Sequence, residues 1–194
     1  MKVDFDFFKI HSKLAPQKGR IIISEPFLPG NYFSRSTVLL VDYSPKGAVG
    51  FILNKPFEPQ INELLTILPG YFPEVFAGGP VGNDNLFYIH TLGNIVGGSI
   101  HVKDGLYWGG DFDELKRSFT TGKAKPEQVK FFVGYSGWSA GQLDDEIAEN
   151  SWLVAEADIK QVMKSNQNFW FESVKNAGGH YEAWQNFPED PNSN

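Results

Sequence analysis

Phe131–Asn150 reads FFVGYSGWSAGQLDDEIAEN, in which a strand-forming run, a glycine-dense turn and a helix start follow one another without slack. Val129 to Tyr135 is aromatic and β-branched, which predicts a strand. Gly134, Gly137 and Gly141 then offer three places where the backbone can take conformations closed to side chains. Ser139 and Gln142 have the S-x-x-Q spacing of a capping box, and Asp144, Asp145 and Glu146 sit where a helix N-terminus favours negative charge. Leu143 and Ile147, one turn apart, supply the buried side. The stretch is therefore expected to be a strand–turn–helix corner. Gly137 and Gly141 are expected at positive φ, and Ser139 as an N-cap worth ~1 kcal/mol.

The chain on either side is built of hairpins. Arg20 to Ser24 holds Ile21, Ile22 and Ile23, a buried strand closed by EPFLPG. Thr37 to Tyr43 and Ala48 to Asn54 flank Ser44-Pro-Lys-Gly47, where Pro presets one turn dihedral and Gly permits a positive one. Val75 to Ala77 and Leu86 to Thr91 read as further strands. Ser99 to Val102 pairs with Leu106 to Trp108 across an Asp-Gly turn. Ile61, Leu64, Leu65 and Leu68 recur at helical spacing. Further helices are expected from Asp111 to about Phe119, over Asp158 to Lys164 and over Asn168 to Ala177, with Trp152 to Ala155 as a strand before the last two. Hairpins with helices inserted between them predict an α+β fold of mostly antiparallel sheet flanked by helices. One domain over 1–194 is expected, with 1–18 as an N-terminal extension containing a short amphipathic helix, and 188–194 as a frayed tail.

Composition narrows the function classes. With 17 Lys plus Arg against 23 Asp plus Glu, the formal net charge is -6, which disfavours a surface made to hold nucleic acid through phosphates. There is no cysteine, so disulfides, thiolate metal sites and a Cys nucleophile are excluded, in keeping with a cytoplasmic location. No secretion signal is visible, and the longest aliphatic run is Val38 to Val41, far short of the ~20 residues a membrane helix needs. The four histidines, His11, His90, His101 and His180, form no H-x-x-x-H pair, so a metal site would have to be assembled from distant elements and none is expected; no cofactor is expected either.

Two motifs invite a catalytic reading. Gly137-Trp-Ser-Ala-Gly141 fits the G-x-S-x-G nucleophile elbow, and Asp158 and His180 follow in the chain order of an α/β-hydrolase triad. Against it, the chain is short for that fold and Ser139 already has a structural task. Gly78-Gly-Pro-Val-Gly-Asn-Asp84 lacks the G-K-[ST] ending of a P-loop and reads as a backbone turn.

The residues also carry a resemblance. GAVGFILNKP (Gly47–Pro56), GGPV (Gly78–Val81), Ile89-His90 and GYSGWSAGQL (Gly134–Leu143), followed by Glu146, Asn150 and Trp152, resemble the AlgH/YqgE family of bacterial proteins over about Arg20 to Gly179. The resemblance implies an α+β fold with a partly barrel-like sheet. It implies no reaction, cofactor or DNA motif; the family's transcriptional-regulator label comes from a genetic link to alginate control. In the family pattern Ser139 is a variable place, which weakens the elbow. Asp42-Tyr43 depart from the usual acidic-His pair, and SEPFLPGN (Ser24–Asn31) departs from the usual opening.

The expectation is a protein that binds a small molecule or a protein partner, as monomer or homodimer, using Asn54 and Lys55 at a strand end with Ser136, Trp138 and Gln142 at the corner. Trp138, a large ring between glycines, is expected to line a groove. Hydrolysis by Ser139 and direct DNA binding are the alternatives.

Overall fold

The computed structural model describes residues 9–10, 12–57 and 73–188. The helical repeat Ile61–Leu68, most of the predicted N-terminal helix and nearly all of the tail lie outside them. Nine strands are described: β1 (Arg20–Ser24), β2 (Thr37–Ser44), β3 (Gly47–Ile52), β4 (Val75–Ala77), β5 (Val81–His90), β6 (Ile100–Lys103), β7 (Leu106–Trp108), β8 (Val129–Ser139) and β9 (Trp152–Glu156). The helices are α1 (Phe112–Thr120), α2 (Gln142–Ala148), α3 (Ile159–Lys164) and α4 (Phe169–Ala177), with a 3-10 segment over Gly179–Asn186.

The strands form one sheet in the order β6-β7-β5-β8-β3-β2-β1-β9. All pairings are antiparallel except that of β4, which lies parallel to β8. The sheet curls without closing into a barrel. Its two ends, β6 and β9, are tied by the Glu156 carboxylate, which takes Lys103 Nζ at 2.6 Å and Arg20 Nη2 at 2.9 Å.

β8 is the spine. Its first half pairs with β5 and β4, and its last four residues pair with β3. Period-two alternation buries both of its faces. Phe132 joins a central core with Ile21, Ile23, Leu39, Phe51 and Trp170, while Phe131 and Val133 face a second core under Leu115 of α1. Ile22, Val38, Leu40, Trp138 and Trp152 form a third core under Leu143 of α2. This explains why β1 and β2 read as unbroken apolar runs: neither face sees water.

The opening stretch differs from expectation in three respects. The strand does not stop at Tyr135 but runs to Ser139, whose Cα partner is Gly47. Gly134 takes the kink between the two halves of β8 at φ +68, and Gly137 is ordinary extended backbone. The N-cap of α2 is Gly141 at φ +77, not Ser139. Half of the predicted box survives, since Ser139 N–H donates to Gln142 Oε1 at 3.0 Å. The Ser139 hydroxyl is therefore not a cap. Ser139→Ala is expected to change stability by less than ~0.5 kcal/mol, which urea denaturation would check; a loss near 1 kcal/mol would restore the hydroxyl to a structural role.

Candidate functional site

Three segments meet at a cleft of about 500 Å³: Asn31, Ser34 and Arg35 ahead of β2, Asn54 to Pro56 after β3, and Gln167, Trp170 and Phe171 at the start of α4. The first segment is a tight turn, with Ser34 N–H donating to Gly30 O at 3.1 Å and Ser36 Oγ to Phe33 O at 2.9 Å. It ends on Arg35, which stands at φ +47. Asn54 fixes that conformation. Its Oδ1 accepts Thr37 N–H at 2.9 Å and its Nδ2 donates to Arg35 O at 2.9 Å, so one buried amide replaces the strand rungs that β3 no longer supplies.

The Arg35 side chain is folded back into the protein; the residue is only 9% exposed. The guanidinium lies 5.3 Å from the ring centre of Trp170 and 5.7 Å from that of Phe171. Nη2 donates to Phe187 O at 2.5 Å, while Nε is buried with no partner. Trp170 is itself held by a 3.0 Å bond from Nε1 to Ser24 O, so the platform under the charge is rigid.

Lys130 lies in the core on β8, also 6% exposed. Its Nζ donates to Ser165 O at 2.6 Å and sits 3.4 Å from the centre of the Phe76 ring. Burial pushes the amine down to about 7, opposed by the more distant Glu74. Ser165 Oγ bonds to Leu53 O, which ties α3 to the strand end beside Asn54.

The residues singled out from the sequence separate into two groups. Asn54 and Lys55 line the cleft. Ser136, Trp138 and Gln142 do not. Ala48 is opposite Trp138 and Gly50 opposite Ser136, so Lys55 lies seven positions along the chain from the Trp138 partner, past the end of β3 at Ile52. The composite surface is not formed. Trp138 is not a groove residue either: it is 6% exposed and donates Nε1 to Glu146 Oε2 at 2.9 Å. Trp152 Nε1 donates to the same oxygen at 2.8 Å, and Gln142 Nε2 holds Glu146 Oε1. Ser136 is fully buried, its hydroxyl spent on Gly78 O at 3.0 Å.

The triad residues have separate employment. Asp158 is the N-cap of α3, accepting from Lys160 N–H at 2.8 Å and Gln161 N–H at 3.2 Å. His180 sits in the terminal 3-10 segment with its ring centre 4.0 Å from that of Tyr181, and its Nε2 lies 3.3 Å from Lys9 O. Among the described residues no imidazole is hydrogen-bonded to the Ser139 hydroxyl, the contact that would activate it as a nucleophile. His90 is buried, with Nε2 2.9 Å from Ser99 Oγ and Nδ1 accepting Leu92 N–H, and burial lowers its pKa. It stitches the 3-10 turn over Gly93–Ile95 to the sheet.

Arg35 and Gln167 were not legible as site residues. Neither belongs to a motif or a periodic face, and no residue preference predicts an arginine at positive φ.

A family profile described as AlgH-like matches residues 21–182. The chain belongs to the AlgH-like family. Among the curated AlgH-like relatives, the UPF0301 protein of Bacteroides thetaiotaomicron is 39% identical over 198 residues, covering 100% of both chains. The UPF0301 protein of Parabacteroides distasonis is 41% identical over 191 residues, 96% of each. Of the solved structures, AlgH from Pseudomonas aeruginosa superposes with a TM-score of 0.68 at 24% identity, over 87% of this chain and 94% of that one. Protein DIP2367 from Corynebacterium diphtheriae superposes with a TM-score of 0.75 at 16% identity, over 91% and 95%. At those identities the likeness is one of AlgH-like fold. In the motifs that carry the resemblance, Asn54 and Ser136 hold backbone groups and Glu146 holds the buried indoles of Trp138 and Trp152.

Proposed function

We propose that this protein is a ligand-binding member of the AlgH-like family, acting without covalent chemistry, and that its site is the cleft between Arg35, Lys55 and Gln167. The backbone of Arg35 carries this reading. Three non-glycine residues among those described have positive φ: Arg35, Asp104 and Asn150. Asp104 and Asn150 are of the types that tolerate that conformation and occupy turns. Arg35 is neither, and holding it there costs on the order of 1 kcal/mol. Strain of this kind concentrates at binding and catalytic positions, and here it sets a charged side chain into a cleft of ligand size.

The family's regulator label is then read as ligand sensing inside a bacterial cytoplasm, since a net charge of -6 gives little attraction for DNA phosphates. The test is a metabolite screen followed by NMR. A ligand at 100 times its Kd should stabilise the protein by roughly 2.7 kcal/mol. It should also move the Gln167 side-chain amide and Trp170 indole signals. A hit that stabilises the protein but leaves both signals in place would put the site elsewhere.

A further inference from the structure

Resting on that reading, we infer that the group taken by the cleft is a compact oxyanion, a carboxylate or phosphate on a small molecule. Among the described residues the lining contains two cations, Arg35 and Lys55, the neutral donors Asn31, Ser34 and Gln167, and no carboxylate. Arg35 thus stands in the lining among neutral donors. Arg35 makes no ion pair with any described residue. The residue is nine-tenths buried, one guanidinium N–H is spent on a carbonyl, and Nε has no partner among the described residues. A buried charge in that state is costly unless a counter-charge arrives.

The ring faces of Trp170 and Phe171 lie beside the guanidinium and its stem is buried, so its position is fixed before the anion enters. An oxyanion reaching it gains charge-assisted hydrogen bonds at little conformational cost. The neutral donors around it suit the remaining oxygens. Lys55, half-buried, is a second cation of the lining.

The experiment is a titration with sodium phosphate and, separately, disodium succinate, against sodium chloride at matched ionic strength. It is read by thermal midpoint and by the Gln167 and Trp170 NMR signals. At least one of the two salts should raise the midpoint above the chloride control and move both signals; the one that does identifies phosphate or carboxylate. Arg35→Met should weaken that binding tenfold or more, Lys55→Met severalfold, and Arg35→Lys should recover part of the loss. An unaltered Trp152 indole signal, from the separate core under α2, shows that Arg35→Met is folded. If it is not folded, Lys55→Met and Arg35→Lys carry the comparison.

The inference is overturned if neither salt acts beyond chloride, or if the variants bind as the wild type does. A neutral metabolite that moves both signals while the salts do nothing would sink the anion assignment and leave the cleft as the site. Silence of both signals to every compound would sink the cleft itself.

Discussion

Gly79→Ala is expected to lower the stability by more than ~3 kcal/mol, enough to leave little folded protein on warming. A β-carbon on Gly79 would lie 2.3 Å from the carbonyl carbon of Tyr135, 2.4 Å from its oxygen and 2.4 Å from Ser136 N, at φ +152. All three are backbone atoms of β8, so no side chain can swing away. The neighbouring Gly78 cannot lift the segment clear. Its N–H is bonded to Val133 O at 2.8 Å and its carbonyl accepts both Ile52 N–H and the buried Ser136 hydroxyl at 3.0 Å. Gly141→Ala makes the comparison. There φ is +77 but nothing lies within 4 Å, so only the conformational term of ~1 kcal/mol applies. Urea midpoints for the two variants measure the difference. Equal, small losses would mean that the Gly78–Gly79 turn can reshape around a methyl group.

Lys130→Met is expected to act in the opposite direction, stabilising the protein by about 2 to 4 kcal/mol at pH 7 and below. The unfolded amine titrates near 10.5 and the folded one near 7. A depressed folded value means that the unfolded chain binds the proton first as pH falls. The wild type therefore loses stability progressively from about pH 10.5 down to pH 7, and the full penalty is present below that. Two effects oppose the gain. The Phe76 face favours the ammonium by ~1 kcal/mol, and the methionine leaves Ser165 O without its donor, for another ~1 kcal/mol. Desolvation is the larger quantity because no carboxylate among the described residues is in contact with Lys130. Denaturation at pH 6, 7.5 and 9 should show the variant ahead, with its advantage shrinking as pH rises. A variant less stable than wild type at pH 6 would show that the ammonium is held favourably.

The contrast between legible and illegible parts follows from range. The Ser44–Gly47 hairpin, the Asp104–Gly105 turn and the Asp111 N-cap were readable because partner and signal lie within a few residues of each other. Trp138 was misplaced because the strand was ended at Tyr135. Continuing the alternation through Ser136 would have put Trp138 on the buried side and Gly137 and Ser139 outside. Its indole partner, Glu146, sits in the acidic first turns of α2, where the helix N-terminus alone suffices to explain a carboxylate. The cleft was out of reach for a different reason. Arg35, Lys55 and Gln167 are brought together by β2, β3 and α4, and that juxtaposition depends on pairings over more than a hundred residues, such as Thr37 Oγ1 with Ser173 Oγ. The site therefore exists only in the assembled fold.

The Lys103–Glu156–Arg20 tie at the open seam is too exposed to add much stability, since Glu156 is 52% accessible. Its effect falls on self-association. β6 and β9 are the end strands of a long sheet, β9 with its Val154 N–H already taken by Ser12 Oγ, and an end strand invites a strand from another molecule. Charged side chains fixed on both edges leave an incoming chain to displace an ion pair and bury a lysine, so the seam guards this curled sheet against growing into an aggregate.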